Sequence, residues 1–181
     1  MAGCRGNGLF RKGDTMQELD AAKDRIFLFF DLCAKIEGMC ARLYHHYSDV
    51  HRDNDDVSRM WKKTALEEEN HQKQFELAQR LRDETGCDLN ADIDRTYRIH
   101  QKLGNLLDHV LQSPPDIVTA LTKAIEMEES LADLHLDSSV RFHDESISKM
   151  FLALRDFDQD HVKSMRHCLA VMTLSNAEMV G

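Results

Sequence analysis

The chain has 181 residues, 42% hydrophobic and 30% charged, with a net charge of −9 at neutral pH. This is the composition of one globular domain, neither disordered nor membrane-spanning. Two prolines and eight glycines, four of the glycines within the first thirteen residues, are too few turn formers for a strand-rich sandwich or barrel. The acidic balance, with no basic stripe to offset it, argues against nucleic acid and against an anionic membrane as partners. No apolar run approaches the roughly 18 residues of a membrane span. The five cysteines, at 4, 33, 40, 87 and 168, are odd in number, irregularly spaced and without a C-x-x-C. Free thiols in a reducing cytoplasm are therefore expected.

In chain order, residues 1–13 read as a disordered tail without the apolar stretch of a signal peptide. Thr15 and Glu18 fit a capping box. From there Met16, Leu19, Ile26, Phe29, Leu32, Cys33, Ile36, Cys40, Leu43, Tyr44 and Tyr47 recur at helical spacing. They predict a first helix to about residue 49, with Lys23 as the one place where a break would fall. After the polar run Asp53 to Asp56, a second helix is expected from about 56 to 84, stopped by Gly86. Its inner stripe is Trp61, Ala65, Phe75, Ala78 and Leu81. A shorter helix, about 91–112 and weakened by Gly104, ends at Ser113-Pro114-Pro115. A third long helix from about 116 to 141 turns Val118, Leu121, Ile125, Leu131 and Ala132 inward. A fourth, from about 146 to 172, buries Ile147, Phe151, Leu154, Met165 and Leu169. The tail beyond Thr173 is expected to fray.

Helices of 25 residues or more are roughly 40 Å long. Short connections make antiparallel pairs, and about 30 residues between the pairs suffice to cross the length of the molecule. The expected fold class is all-α: an antiparallel four-helix bundle with one long crossover connection carrying a short extra helix.

Each inner stripe is interrupted at mid-helix by ionisable residues. These are Glu37 in the first long helix, Glu68 and His71 in the second, Glu128 in the third, and Asp158 and His161 in the fourth. A carboxylate in an apolar core must be paired, protonated or bound to a metal. Four carboxylates and two imidazoles at one depth cannot neutralise each other, whereas two divalent cations would. Residues three apart share a helix face, so Glu68 with His71, and Asp158 with His161, can each bind one ion. With ten histidines and 32 acidic residues, two such spacings are no more than chance supplies. Their weight comes from their mid-helix, inward position. The pattern also repeats: Glu68 follows Glu37 by 31 residues, and Asp158 follows Glu128 by 30. Ile36-Glu37 with Tyr44 seven residues on is echoed by Met127-Glu128 with His135. A buried hydrogen-bonded network without metal is the alternative reading of the same residues.

One Glu on each of two helices, with Glu-x-x-His on the other two, is a known di-metal pattern. With Glu67-Glu-Glu-Asn-His71 and Ala124-Ile-Glu-Met-Glu-Glu129, the chain resembles the ferritin-like superfamily, and within it rubrerythrin-type members, over about residues 15–172. The resemblance implies a ferritin-like bundle over 14–173, flanked by tails at 1–13 and 174–181. It implies two iron ions, with manganese or a mixed pair as variants, bound by Glu37, Glu68, His71, Glu128, Asp158 and His161. Glu68 with His71 would hold one ion and Asp158 with His161 the other, with Glu37 and Glu128 as bridging or terminal ligands. Tyr44 and His135 would lie just outside the ligands. Homodimers are common in this superfamily.

Two departures stand out. Asp158 takes a place where the family usually has Glu. The family also usually carries a further Glu one turn after the third-helix ligand, which a frame on Glu126 with Glu129 would supply; the repeat and the inner stripe favour Glu128. There is no rubredoxin-like pair of C-x-x-C motifs, so electrons are expected from an external donor protein. The expected function is oxidation of Fe(II) by peroxide or dioxygen. Iron storage, and a non-catalytic interaction bundle keeping a structural or vestigial metal site, are the alternatives. Cys33 and Cys40, roughly 10 Å apart along one helix, are too distant for a disulfide and read as core residues. His45 and His46 are expected to be exposed. Glu67 and Glu69 read as solvated, and Gly38 as a point of close helix approach.

Overall fold

The computed structural model describes the backbone at residues 16–85, 87–89, 92–137 and 140–180. Side chains at 16–20, 22, 82–91, 133–142, 154–158 and 175–180 lie outside the described residues, as does the N-terminal tail. Five helices carry the chain: α1 (Met16–Val50), α2 (Asp55–Thr85), α3 (Ile93–Gln112), α4 (Ile117–Asp137) and α5 (Glu145–Val180). Among the described residues the fold class is all-α apart from one antiparallel pair of three-residue strands, β1 (Cys87–Leu89) and β2 (Val140–Phe142). No described helix is long and apolar enough to cross a membrane.

Short polar side chains start the helices where the sequence offers them. The amide of Val57 donates to Asn54 Oδ1 at 3.2 Å, that of Arg95 to Asp92 Oδ1 at 2.9 Å, and that of Thr119 to Asp116 Oδ1 at 2.9 Å. At α5, Ser146 and Ile147 both donate to Asp144 Oδ1. Each such bond satisfies an amide that has no partner inside its helix, which typically contributes about 1 kcal/mol. Asp116 titrates below the usual carboxylate range because it accepts the backbone and hydroxyl hydrogens of Thr119.

Two boundaries depart from the sequence expectation, the ends of α4 and α5. α1 is continuous through Lys23, and α3 runs unbroken through Gly104, where Met39 of α1 packs 3.9 Å from the position a Cβ would take. Tertiary packing there outweighs the roughly 1 kcal/mol helix penalty of glycine. α4 stops at Asp137 rather than near 141, because residues 140–142 pair with 87–89 instead. α5 continues to Val180, past the expected end near 172.

Side-chain contacts fix the helix directions. Ser48 meets Ser58, while Phe27 lies across from Gln79, so α1 and α2 are antiparallel. Asn54 meets Met172 and Phe75 meets Phe151, so α2 and α5 are antiparallel. α4 and α5, joined by the short connection holding β2, pack along one another, and α3 lies against α1. α3 buries Thr96, Ile99, Leu103, Leu107 and Val110, a stripe at spacings of three and four.

The core falls into two apolar clusters. The larger joins Ile36, Cys40, Leu43 and Tyr44 of α1 to Trp61 and Ala65 of α2, the inner face of α3, Leu121 and Leu131 of α4, and Met165 of α5. The smaller holds Phe29, Phe30, Cys33 and Ala34 with Phe75 and Ala78, and Phe151 packs against it. Leu121 is fully buried, so Leu121→Ala is expected to cost about 2–5 kcal/mol, read as a lowered urea midpoint at unchanged slope.

Candidate metal centre

Between the two apolar clusters lies a polar layer. On α1, Cys33 belongs to one cluster and Ile36 and Cys40 to the other, with Glu37 between them. On α2, Ala65 and Phe75 bracket Glu68 and His71 in the same way. Glu37, Glu68, His71, Glu128 and His161 are at most 3% exposed. Helical spacing puts them there: each sits on the inner stripe of its helix, so folding the stripe inward buries the ionisable groups with it.

The geometry divides these residues into two groups that share one member. Glu37, Glu68 and His71 offer ligand atoms within 4.8 Å of one another, and so do Glu68, Glu128 and His161. Glu68 joins them through its two oxygens. Oε2 is 3.0 Å from His71 Nδ1, and Oε1 is 2.9 Å from His161 Nδ1. His161 Nδ1 is also 3.8 Å from Glu128 Oε2, and the two imidazole rings stack with centroids 5.8 Å apart. Glu68 is thus the member common to both groups, while Glu37 and Glu128, for which the sequence suggested bridging or terminal roles, belong to one group each. Glu68 lies on α2, which contacts both α1 and α5, and each of its oxygens lies within 3.0 Å of one imidazole. The Asp158 and His135 side chains lie outside the described residues.

The alternative frame on α4 faces outward. Glu126 is exposed and pairs with Lys123 at 2.9 Å, and Glu129 is exposed and pairs with Arg166. Glu128 alone of the three faces inward, and it accepts a hydrogen bond from the Tyr44 hydroxyl. Burial, then the neighbouring Glu128 charge, pushes the Tyr44 phenol well above its ordinary range, so it stays protonated and donates.

Sequence reasoning missed Glu67, placed with the solvated residues. It is 23% exposed and lies 3.1 Å from His161 Nε2, which donates to its Oε2. The signal was available: Glu67 and Glu68 are adjacent, so one can face the interior while the other reaches around the neighbouring helix. A carboxylate on the far nitrogen of an imidazole fixes its tautomer and its orientation. Glu69 pairs with His45 at 2.9 Å. His45 and His46 are half-buried rather than exposed, because α2 and α3 cover the last turns of α1. A Cβ on Gly38 would meet Gln72 Oε1 at 2.9 Å, so glycine there makes room for a side chain rather than for a neighbouring backbone. Cys33 and Cys40 are buried free thiols. Burial and the Glu37 charge push the Cys33 thiol up, which makes it a poor nucleophile.

Among the described residues no lysine or arginine is buried beside this layer. Without a metal, His161 is the counter-charge. Burial pushes its pKa down, but its contacts with the Glu128 and Glu68 carboxylates push it up further, to about 11. One imidazolium cannot balance three buried carboxylates. Glu68 Oε1 and His161 Nδ1 are also buried without a well-formed hydrogen bond, although they face each other closely. Donor atoms converging on a common space, rather than aligned on each other, fit a cation between them. Carboxylates with imidazoles are the ligand set of iron, manganese or zinc rather than of a soft metal. A surface cavity of about 380 Å³ lined by Glu67, Asn70, His71, Lys73, Gln74 and Leu77 reaches His71 from solvent.

A scan of protein-family profiles and searches of curated proteins and of solved structures each return no match to the chain. The site is thus read from its own residues.

A histidine that holds its proton more tightly when folded stabilises the fold fully below its unfolded pKa of about 6.5. That contribution is lost as the pH rises through the folded value of about 11. The metal-free protein is therefore expected to lose stability steadily from about pH 7 upward, with a flatter profile in His161→Gln. Urea midpoints across the pH series check this.

Proposed function

We propose that this chain is a ferritin-like four-helix bundle of the rubrerythrin type, a di-iron protein that oxidises Fe(II) with peroxide or dioxygen and draws electrons from a separate donor protein. The observation that carries this reading is the pair of buried Glu/His groups sharing Glu68. The helix arrangement supports it: α1 and α2 form one antiparallel pair, α4 and α5 the other, and α3 occupies the connection between the pairs.

The residues have distinct tasks in this reading. Glu37 and His71 would hold one ion, Glu128 and His161 the other, and Glu68 would contribute to both sites. Asp158 is proposed as a further ligand from its place three residues before His161. Ferrous iron held there would supply one electron per ion, and two such electrons with two protons would reduce hydrogen peroxide to two waters. Tyr44 holds the Glu128 carboxylate by its hydroxyl, and Glu67 holds His161 so that Nδ1 presents a lone pair inward. The apolar clusters on either side keep bulk water away, which strengthens every charge interaction inside.

Metal analysis of anaerobically iron-loaded protein tests the proposal. About two irons per chain are expected in the wild type, with loss of both in the His71→Ala/His161→Ala double variant at unchanged helical circular dichroism. Unchanged or zero metal in the wild type would sink the reading. Glu67→Gln keeps the shape but weakens the acceptor for His161 Nε2–H. It is expected to lower affinity for one of the two ions by about 10–100-fold, seen as a biphasic iron titration.

A further inference from the structure

The Tyr44 hydroxyl bonded to Glu128 puts a redox-active phenol at the edge of the Glu/His centre. Behind it the ring stacks on Trp61, with centroids 5.4 Å apart and planes 20° from parallel. Trp61 meets Tyr47 at 5.1 Å, and Tyr47 meets His51 at 6.1 Å. All three spacings are those of rings in contact. His51 lies in the turn after α1, ahead of the exposed Arg52 and Asp53. An unbroken file of rings thus leads from the centre to the α1–α2 turn. It contains the chain's one tryptophan and two of its three tyrosines.

Packing alone does not account for these residue types. Among the described residues, Trp61 Nε1 and the Tyr47 hydroxyl are buried without a hydrogen-bond partner. Buried Tyr and Trp normally find one, and an unpaired buried donor is destabilising. Phenylalanine would supply an apolar ring without that cost. What phenylalanine lacks is ready one-electron oxidation.

We propose that Tyr44, Trp61 and Tyr47 form a relay that carries single electrons from the α1–α2 turn to the Glu/His centre. This rests on the iron reading above. Peroxide needs two electrons and two protons to become two waters, and a centre left with one ferrous ion supplies only one electron. The relay supplies the other, and solvent supplies the protons. The Tyr44 O–H bond breaks, its electron passes to the peroxide oxidant and its proton to the Glu128 carboxylate. Trp61 then gives an electron to Tyr44, which takes its proton back. The resulting indole cation radical keeps its N–H proton, which suits a site with no acceptor beside Nε1. The Tyr47 ring bridges Trp61 to the turn, where a one-electron reductant fills the hole.

The test uses the full chain in a Tyr97→Phe background, which removes the exposed tyrosine. Protein carrying one ferrous ion per chain is mixed with hydrogen peroxide, freeze-quenched and examined by electron paramagnetic resonance. A tryptophan radical is expected, narrowed by ring-deuterated tryptophan and quenched by ascorbate. In Trp61→Phe a tyrosyl signal replaces it, with iron content and helical circular dichroism unchanged. Should Trp61→Phe lose its fold, Tyr44→Phe decides, because it cuts the relay at its entry and should lose most of the tryptophan radical. Iron uptake and oxidation without any tryptophan radical, or an unchanged radical yield in Tyr44→Phe, would overturn the relay and leave the iron reading standing. Failure to bind iron, read from the metal count, would overturn both.

Discussion

A layer of carboxylates and imidazoles divides the apolar core of this protein, and most of the structure follows from accommodating it. Glu37, Glu68 and Glu128 are removed from water together. Desolvating a carboxylate costs several kcal/mol even after the protein relaxes, and neighbouring carboxylates add repulsion. Without metal, the described residues answer this with the His161 imidazolium, the Tyr44 hydroxyl and the His71 contact with Glu68. These contacts orient the groups but leave negative charge in excess. That residual imbalance is what would let the layer hold a cation.

Among the described residues Glu68 has a position no other carboxylate shares. One oxygen lies against His71 on its own helix and the other against His161 on α5. It thereby couples the two halves of the chain, and with Glu67 on the outer side of His161 it holds that ring from two directions. Consecutive residues on one helix thus do different work: Glu68 inside, Glu67 at the rim, Glu69 paired with His45 on the other flank. Their 100° steps around the helix separate three adjacent carboxylates into three environments.

The two apolar clusters hold this layer in place by rigid packing on either side. Trp61 and Tyr44 stack directly behind Glu128, and Phe30, Phe75 and Phe151 close the opposite end. Offset and tilted aromatic contacts of this kind contribute beyond their buried area and define orientation. Asn54, Asp116 and Asp144 cap the starts of α2, α4 and α5, the helices that carry Glu68, His71, Glu128 and His161.

The sequence alone determined the helical class, the inner stripes and the depth of the ionisable layer, because all three are periodic properties of single helices. It also pointed to Glu37, Glu68, His71, Glu128 and His161, since a charged residue on an apolar stripe is conspicuous without any partner in view. Only the tertiary structure decided how these residues meet. That Glu68 is the shared carboxylate, that Glu128 rather than Glu126 or Glu129 turns inward, and that Glu67 reaches His161 all depend on the packing of α2 against α5 and of α4 against α1. The early end of α4 depends likewise on a strand partner some fifty residues away. Periodicity specifies which face of a helix is buried, but not which helix covers it, and the site lies where several faces meet.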